Sequence, residues 1–379
     1  MSYHRAMTNR SMTVPNNQTL TQSPNPPDDA VIFRGDGEPM SPQLLSYRLA
    51  SIVDSVGISP DNYSKGGTIS ELESRFADIL GKETSIFMPT GTLANHLAIR
   101  TLCGDKPRAI VQEQSHLYND TGDCTTRLSG INLVPLAKDL PCFTVDDVKS
   151  IIHKSEGGRV SNQVGALLIE SPVRRQMGQV MSFEDMKEVT SLCREHGIGT
   201  HLDGARIYMM SAASGINIKN YCELFDTVYV SLYKYFGAPF GAILAGSHTV
   251  IDNMFHDRRM FGGGLAGAYP AAALALHGIE GFEQKFTQSI KKGRGLFANL
   301  NLMPGIEIKE FELGSNIFPL TFDSKIDIAK MAFELRKQGI YIYPEEGSEH
   351  YSQLTVNTTI LRKSNDQILQ TFRETLGHL

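Results

Sequence analysis

The stretch "MPTGTLAN" contains residues that could bind an anion, because Thr90, Gly91 and Thr92 follow a short apolar segment and open a predicted helix. The first turn of a helix has free backbone N–H groups and the positive end of the helix dipole. Two hydroxyls lie beside them here, and a phosphate group is the most natural occupant of such a site. An ordinary helix cap explains the same three residues.

A carboxylate, Asp203, ends the otherwise apolar segment "IGTHLD". Placing a carboxylate in such surroundings is costly unless it meets a cation. Arg206 in "DGAR" is one possible partner. A protonated heterocyclic nitrogen is the other, and an aspartate in that position would keep the nitrogen protonated.

A lysine, Lys234, lies between aromatic residues in "SLYKYFGAPFG", at the end of a third apolar segment. Tyr233 and Tyr235 beside it, with Gly237 and Ala238 behind, predict partial desolvation, which lowers the pKa of an amine and frees it for a Schiff base. A lysine that extends from a hydrophobic edge into water is the alternative. A phosphate site, a carboxylate and an amine in this chain order together favour pyridoxal 5'-phosphate as the cofactor.

The elements that must position these residues alternate along the chain. Short apolar strands such as "TSIFMP", "GALLIESP", "IGTHLD", "DTVYVSLYK" and "AILAG" are separated by amphipathic helices. One helix, "SELESRFADILG", carries a predicted capping box in Ser70 and Glu73 and a predicted end at Gly81. The alternation predicts an α/β fold with a mainly parallel sheet covered by helices, in which ligands bind at the carboxyl ends of the strands.

Three regions are predicted from the change of pattern along the chain. Residues 1–30 are rich in polar residues and proline and are interpreted as a flexible tail, with a transit peptide as the alternative. Residues 31–280 form the large cofactor-binding domain. Residues 281–379, with short strands around the helix "KIDIAKMAFELRKQG", form a smaller α+β domain.

Composition excludes several classes of protein. A net charge of −5 gives no general basic field for nucleic acid, and no apolar run is long enough to span a membrane. The five cysteines contain no C-x-x-C pair, so neither a metal site nor a disulfide framework is indicated. A cytoplasmic location is therefore expected.

The motifs "PTGTLAN", "EQSH", "HLDGAR", "LYKYFGAPFG" and "GGG" make the chain similar to the threonine aldolase group of the β-eliminating lyases, over roughly residues 31–290. The resemblance implies fold type I of the pyridoxal-phosphate-dependent enzymes, with a large domain on a mainly parallel seven-stranded sheet and a smaller C-terminal α+β domain. It also implies an amino acid as the small-molecule substrate, no metal, no nucleic-acid or membrane partner, and a homodimer at least, with a homotetramer expected.

The same resemblance implies roles for individual residues. Lys234 would form the Schiff base with the cofactor, and His116 would stack on its ring and serve the substrate hydroxyl. The other expected cofactor contacts are Thr90, Gly91, Thr92, Asp203, Arg206 and Ser231. The expected substrate contacts are Gly35, Tyr63, Arg175, Arg206 and Gln353, and the expected contacts to a neighbouring subunit's phosphate are Arg258 and Arg259.

Several positions depart from the family's pattern. In "FRGDGEP", Gly35 and Gly37 replace the usual serine and threonine, which removes a hydroxyl that would help to hold the substrate carboxylate. Gln353 lies near a position where an arginine is expected. Tyr233 and Tyr235 replace a commoner serine and glycine and are expected to add bulk beside the amine.

The function implied is cleavage of the Cα–Cβ bond of a β-hydroxy-α-amino acid to glycine and an aldehyde, with His116 as the candidate base. The altered substrate contacts leave β-elimination or transamination of another amino acid as alternatives. A cofactor-binding protein without catalysis is a rival from another class, although Lys234 and Asp203 are both present. A dinucleotide-dependent dehydrogenase is disfavoured because no Gly-x-Gly-x-x-Gly turn follows an early strand.

Overall fold

The computed structural model describes residues 26–160 and 162–378. The strands in chain order are β1 Val31–Ile32, β2 Thr84–Met88, β3 Arg108–Gln112, β4 Asn132–Leu136, β5 Val164–Glu170, β6 Gly199–Asp203, β7 Thr227–Ser231, β8 Ala242–Gly246, β9 Ile306–Ile308, β10 Ile317–Phe322, β11 Ile340–Tyr341 and β12 Tyr351–Thr355.

The helices surround and connect these strands. They are α1 Pro42–Ser55, α2 Gly67–Leu80, α3 Gly91–Cys103, α4 His116–Asn119, α5 Cys124–Ser129, α6 Val145–Glu156, α7 Phe183–Glu195, α8 Ile207–Ser214, α9 Ile218–Glu223, α10 His248–Ile251, α11 Met254–Met260, α12 Tyr269–Ile279, α13 Phe282–Leu300, α14 Ile328–Lys337 and α15 Asn365–Gly377. Two 3₁₀ turns cover Arg174–Gln176 and Thr358–Arg362.

The predicted mainly parallel sheet is confirmed. Seven strands are ordered β2-β8-β7-β6-β5-β3-β4, and only β8 runs antiparallel to its neighbours. Strands β5, β7 and β8 are buried along their whole length, as expected for a sheet covered on both faces. The carboxyl ends of the parallel strands therefore meet at one edge of the sheet, and ligands bind at such an edge.

The helix ends were predicted with mixed success. Gly81 adopts the left-handed conformation (φ 64°) that ends α2, as expected. The capping box at Ser70 was wrong, because α2 begins at Gly67, one turn earlier. The Glu73 carboxylate instead accepts the backbone N–H of Phe87 at 2.8 Å, and it thereby ties α2 to β2.

The smaller lobe contains the antiparallel sheet β12-β10-β9 and the parallel pair of β1 with β11. The pair joins Val31 to Ile340, so the chain enters the fold through the small lobe before it reaches the large sheet. Of the predicted tail, residues 1–25 lie outside the described residues. At its end Ala30 is fully buried, and Asp29 pairs with Lys363 at 2.6 Å.

Two negative findings apply to the described residues. None of their helices is both long and apolar enough to cross a membrane. Nor do their histidine, cysteine, aspartate and glutamate side chains form a cluster of three or more that could hold a metal ion.

Candidate active site

A cavity of about 540 Å³ opens at the carboxyl ends of the parallel strands. It has the size of an ordinary small-molecule site. The sequence-predicted residues that line it are Thr90, Gly91, Thr92, His116, Arg175, Asp203, Arg206 and Lys234. The fold therefore brings the three chemical groups identified from the sequence to one place. The predicted site residues that do not line the cavity are Gly35, Tyr63, Ser231, Arg258, Arg259 and Gln353.

The amino end of α3 forms one wall of the cavity. The Thr90 hydroxyl accepts the N–H of Leu93 at 3.1 Å, so it acts as the helix cap. Among the described residues, the N–H groups of Gly91 and Thr92 donate to no acceptor. A side chain at Gly91 would collide with the Tyr229 hydroxyl, so only glycine fits there. This end of the helix is thus both a capped terminus and a backbone anion site.

Asp203 is almost completely buried at the end of β6. Its two carboxylate oxygens accept the Asn95 amide at 2.6 Å and the Ala205 N–H at 3.1 Å. Its partner is not Arg206, which donates from Nε to Asp36 at 2.7 Å. The alternative that Arg206 neutralises Asp203 by a direct ion pair is therefore wrong.

Asp36 is a site residue that the sequence did not reveal. It is buried in the segment "FRGDGEP" and holds Arg206 against the cavity. A carboxylate between two glycines was the available signal, but its partner is 170 positions away along the chain.

Lys234 lies in the turn that follows β7, and its side chain is half-buried at the cavity wall. Burial, followed by the positive charge of Arg206, lowers the pKa of Lys234 to about 8. The predicted desolvation of the amine is thus reproduced.

The two tyrosines beside Lys234 lie on different sides of it. Tyr233 is 49% exposed and lines the cavity. Tyr235 is buried, with its ring 5.4 Å from Phe282 and 5.8 Å from Tyr208. The expectation that both add bulk beside the amine was wrong for Tyr235, which packs into the core.

Glu170 ends β5 directly beside Asp203 on β6 and was not among the predicted site residues. Its carboxylate accepts the backbone N–H of His116 at 2.5 Å and that of Arg174 at 3.0 Å. Burial, followed by the negative charge of Asp203, raises the pKa of Glu170 to about 7. Glu170 thus joins the two segments that carry His116 and the arginines.

The adjacent arginines of "ESPVRRQ" are in different environments. Arg175 forms a two-point ion pair with Asp120, at 2.5 and 3.1 Å. Arg174 also lines the cavity and forms no ion pair with the described residues. Although the Arg174 residue as a whole is exposed, partial desolvation of its guanidinium, followed by the positive charge of Arg206, lowers the pKa of Arg174, so the two cations are close. The resemblance of motifs pointed to Arg175 and did not indicate Arg174 or Asp120.

His116 begins α4 and lines the cavity with a half-buried side chain. Asp120 follows at the end of this short helix, so the histidine and the ion pair of Arg175 lie on one wall.

Arg258 is 1% exposed, and its guanidinium donates to the carbonyls of Phe87, Tyr63 and Ser64. These contacts lie within its own chain, so the expected reach of Arg258 into a neighbouring subunit does not agree with the structure. Arg259 is exposed, with its guanidinium carbon 4.2 Å from the centre of the Tyr63 ring. Its role at a neighbouring site stays a prediction.

The remaining predicted contacts do not line the cavity. Ser231 is fully buried, and its hydroxyl has no hydrogen-bond partner among the described residues. Gly35 has a φ of +79°, which disfavours a serine there. Gly37 lies so close to the lysine turn that an added Cβ would be 2.6 Å from the Cα of Tyr235. Gln353 lies half-buried on β12.

Comparisons with known proteins identify the family and the fold type of the chain. The sequence profile of the β-eliminating lyase family matches residues 55–321, more than half of the chain. A low-specificity L-threonine aldolase of Saccharomyces cerevisiae is 31% identical over 232 residues, which are 61% of this chain and 58% of the relative. An alanine racemase of Cochliobolus carbonum is 30% identical over 244 residues, 60% of this chain and 59% of the relative. The matches thus span less than two thirds of these relatives.

A solved structure from Listeria monocytogenes, proposed to be an L-allo-threonine aldolase, has 26% sequence identity and a TM-score of 0.77. The alignment covers 93% of this chain and 97% of the other. The predicted fold type, including the small lobe, is confirmed by this likeness.

Proposed function

Since the chain belongs to the β-eliminating lyase family of pyridoxal-phosphate-dependent enzymes, we propose that it cleaves the Cα–Cβ bond of a β-hydroxy-α-amino acid to glycine and an aldehyde. One observation carries this proposal. A single cavity is lined by a lysine of lowered pKa, a buried aspartate and a helix terminus whose first two N–H groups have no acceptor among the described residues.

The residues fit pyridoxal phosphate. The backbone N–H groups of Gly91 and Thr92 would hold its phosphate, and Asp203 would hold its ring nitrogen in the protonated form. The contact of Gly91 with the Tyr229 hydroxyl leaves no room for a side chain, so this glycine fixes how closely the start of α3 packs against β7 beside the cavity. Ser231 does not line the cavity and is fully buried, so a contact of its hydroxyl, which has no partner among the described residues, with the cofactor stays a prediction.

When bound, pyridoxal phosphate supplies a protonated ring that accepts the electron pair of the breaking bond. The protein contributes the conditions for this. Lys234 is mainly neutral above about pH 8 and so presents a nucleophilic amine. Asp36 keeps the Arg206 guanidinium fixed at the cavity wall, where it provides positive charge beside the amine.

His116 would accept the proton of the substrate's β-hydroxyl, directly or through water. The support for this is its half-buried position on the cavity wall and the backbone contact to Glu170 that orients the start of its helix. Imidazole is the side chain that most often transfers protons in enzymes.

The substrate carboxylate requires a cation that is free to bind it. Arg175 was the expected group, but its guanidinium is neutralised by Asp120. Arg174, in the same cavity, forms no ion pair with the described residues. We therefore assign binding of the substrate carboxylate chiefly to Arg174. Arg175 is the alternative binding group.

The assembly and the location also belong to the proposal. We expect a homodimer at least, and a homotetramer as the full assembly. Large side chains exposed near Arg259 support this, because an interface between subunits would cover them: Tyr63 is 41% and Met260 63% exposed. A cytoplasmic location is supported by the five cysteines, which are all free thiols.

The test begins with the absorbance spectrum of the purified protein. L-threonine, L-allo-threonine, L-serine and L-alanine are then added in turn, while aldehyde, glycine, pyruvate, ammonia and D-alanine are assayed. A visible cofactor band with release of glycine and acetaldehyde supports the aldolase. The same band with release of pyruvate and ammonia would indicate β-elimination instead. Formation of D-alanine from L-alanine would indicate racemisation. A spectrum without the band contradicts the cofactor assignment. The variant Lys234→Ala is the control for the absorbance and product assays, because it lacks the amine that would bind the cofactor.

A further inference from the structure

A line of hydrogen-bonded side chains lies behind Asp203, on the side away from the cavity. Thr227 Oγ1 is 2.8 Å from His201 Nδ1, His201 Nε2 is 2.9 Å from Asn95 Oδ1, and Asn95 Nδ2 is 2.6 Å from Asp203. Thr227, His201 and Asn95 have no solvent exposure, and Asp203 has 3%. None of the roles derived above uses the first three residues.

The chemistry of these groups fixes the direction of each hydrogen bond. A carboxylate only accepts, so the Asn95 amide nitrogen faces Asp203 and its oxygen faces His201. His201 must therefore carry its proton on Nε2. Burial lowers the pKa of His201 to about 4, so the ring is neutral at pH 7 and its Nδ1 accepts from the Thr227 hydroxyl. Every donor in the line thus points toward Asp203.

We propose that Thr227, His201 and Asn95 are positioning residues that hold Asp203 as an anionic acceptor for the cofactor's ring nitrogen. The inference rests on the proposed function for the identity of that cofactor. Hydrogen bonds that all point one way in a low-dielectric interior strengthen each other. The two oxygens of Asp203 also receive protein N–H groups on fixed sides, so its remaining acceptor capacity is directed to the cavity.

The line also connects parts of the site that are far apart in the sequence. Asn95 lies on α3, whose first turn is the proposed phosphate site, and His201 and Asp203 lie on β6. Asn95 therefore ties α3, which carries the proposed phosphate site, to β6, which carries the proposed partner of the ring nitrogen. This accounts for Asn95 at the end of "PTGTLAN" and His201 at the start of "HLDGAR", for which the sequence alone indicated no function.

The test compares two cofactors that differ only at the ring nitrogen. Dissociation constants are measured for pyridoxal phosphate and for its deaza analogue, in which a C–H replaces that nitrogen. We expect Asn95→Leu to reduce the wild-type preference for pyridoxal phosphate by about tenfold, as for the loss of one hydrogen bond to a charged group. Equal weakening of both ligands would mean that Asn95 has only a structural role, and would overturn the inference.

Milder variants cover the case in which Asn95→Leu does not fold. Thr227→Val removes the hydroxyl with little change of shape, whereas Thr227→Ser keeps it. We expect the cofactor preference to fall in Thr227→Val and to stay near the wild-type value in Thr227→Ser. His201→Gln, which can still donate to Asn95, should retain more of the preference than His201→Leu. The same preference in both members of each pair would contradict the inference.

Nitrogen-15 spectra of the histidines in the cofactor-free protein give an independent result. We expect His201 to be protonated on Nε2 and not on Nδ1 at pH 7, and the opposite tautomer would overturn the proposed direction of the line. A wild-type protein that binds neither ligand would instead disprove the proposed cofactor. Failure of the inference and failure of the proposed function are therefore distinguishable.

Discussion

The two ends of the cavity differ in how firmly the protein holds their polar groups. At the cofactor end, formed by Gly91, Asp203 and Lys234, the side chains are buried or half-buried and Asp203 is hydrogen-bonded on both oxygens. At the substrate end, formed by His116, Arg174 and Arg175, both arginines are exposed. The side-chain ion pair there joins Arg175 to Asp120, and these side chains are 46% and 38% exposed.

This difference indicates which property of the enzyme each end determines. A preorganised, low-dielectric cofactor end supplies chemistry that many reactions share. An open substrate end can change its contacts without disturbing the core, because exposed ion pairs contribute little to stability. Relatives that include an aldolase and a racemase fit this division.

The largest effect is expected at the cofactor end. Asp203→Ala should weaken binding of pyridoxal phosphate and slow turnover by about a hundredfold or more, because a buried acceptor for a charged donor is lost. Asp120→Ala, at the substrate end, is the matched control and should leave the cofactor's dissociation constant unchanged. Titration with pyridoxal phosphate, followed at the cofactor's absorbance band, gives the dissociation constant of each variant. Equal effects of the two variants would contradict the proposed difference between the two ends of the cavity.

The pH dependence of cofactor attachment is the next largest effect. Burial and the charge of Arg206 lower the pKa of Lys234 to about 8, so the reactive neutral amine becomes available well below the pH at which an ordinary lysine deprotonates. The rate at which cofactor-free protein reacts with pyridoxal phosphate should rise about tenfold for each pH unit below about 8 and level off above it. Stopped-flow absorbance measures this rate. A rise that continues to pH 10 would show that the amine is not desolvated.

At the substrate end we expect a separation between KM and kcat. Arg174→Gln should raise KM for the amino acid by about tenfold, because a charge-assisted contact to the substrate carboxylate is lost. Arg175→Gln should have a smaller effect, since Asp120 already occupies its guanidinium. Steady-state kinetics of both variants show which arginine binds the substrate carboxylate. A larger rise of KM in Arg175→Gln would mean that Arg175, the residue predicted from the sequence, binds it.

The sequence predicted which groups meet at the cofactor end because each lies at the end of its own strand or within a few residues of it. Gly91, Asp203 and Lys234 could be identified from local pattern, and the parallel sheet then brings the strand ends together. Glu170 was missed because its importance depends on the register that pairs it with Asp203. Asp36 was missed because its partner Arg206 is distant in the sequence.

Side-chain direction was the other property that the sequence did not provide. Adjacent residues such as Arg258 and Arg259 have the same chemistry, yet one is buried against carbonyls and the other is exposed. Tyr233 and Tyr235 differ in the same way. Tyr233 and Tyr235 lie in a turn, and Arg258 and Arg259 lie in a helix of only seven residues, so no long helical or strand period tells which of two neighbours is buried.

The smallest effect tests how tightly the cofactor end is packed. An alanine side chain at Gly37 would place its Cβ 2.6 Å from the Cα of Tyr235, in the backbone of the lysine turn. We expect Gly37→Ala to lower the free energy of unfolding by about 1–3 kcal/mol, as overpacking does. The displaced loop also carries Asp36, so the Arg206 ion pair should weaken as well.

The matched control for Gly37→Ala is an exposed glycine in the middle of α13, where a new Cβ meets only the Asn365 side chain, at 3.9 Å. Gly295→Ala should raise the free energy of unfolding by roughly 0.5–1 kcal/mol, because alanine is the better helix former. Urea unfolding of the cofactor-free protein measures both. If Gly37→Ala were tolerated as well as Gly295→Ala, the loop that holds Arg206 would be free to move, and the cofactor end would not be the more rigid of the two.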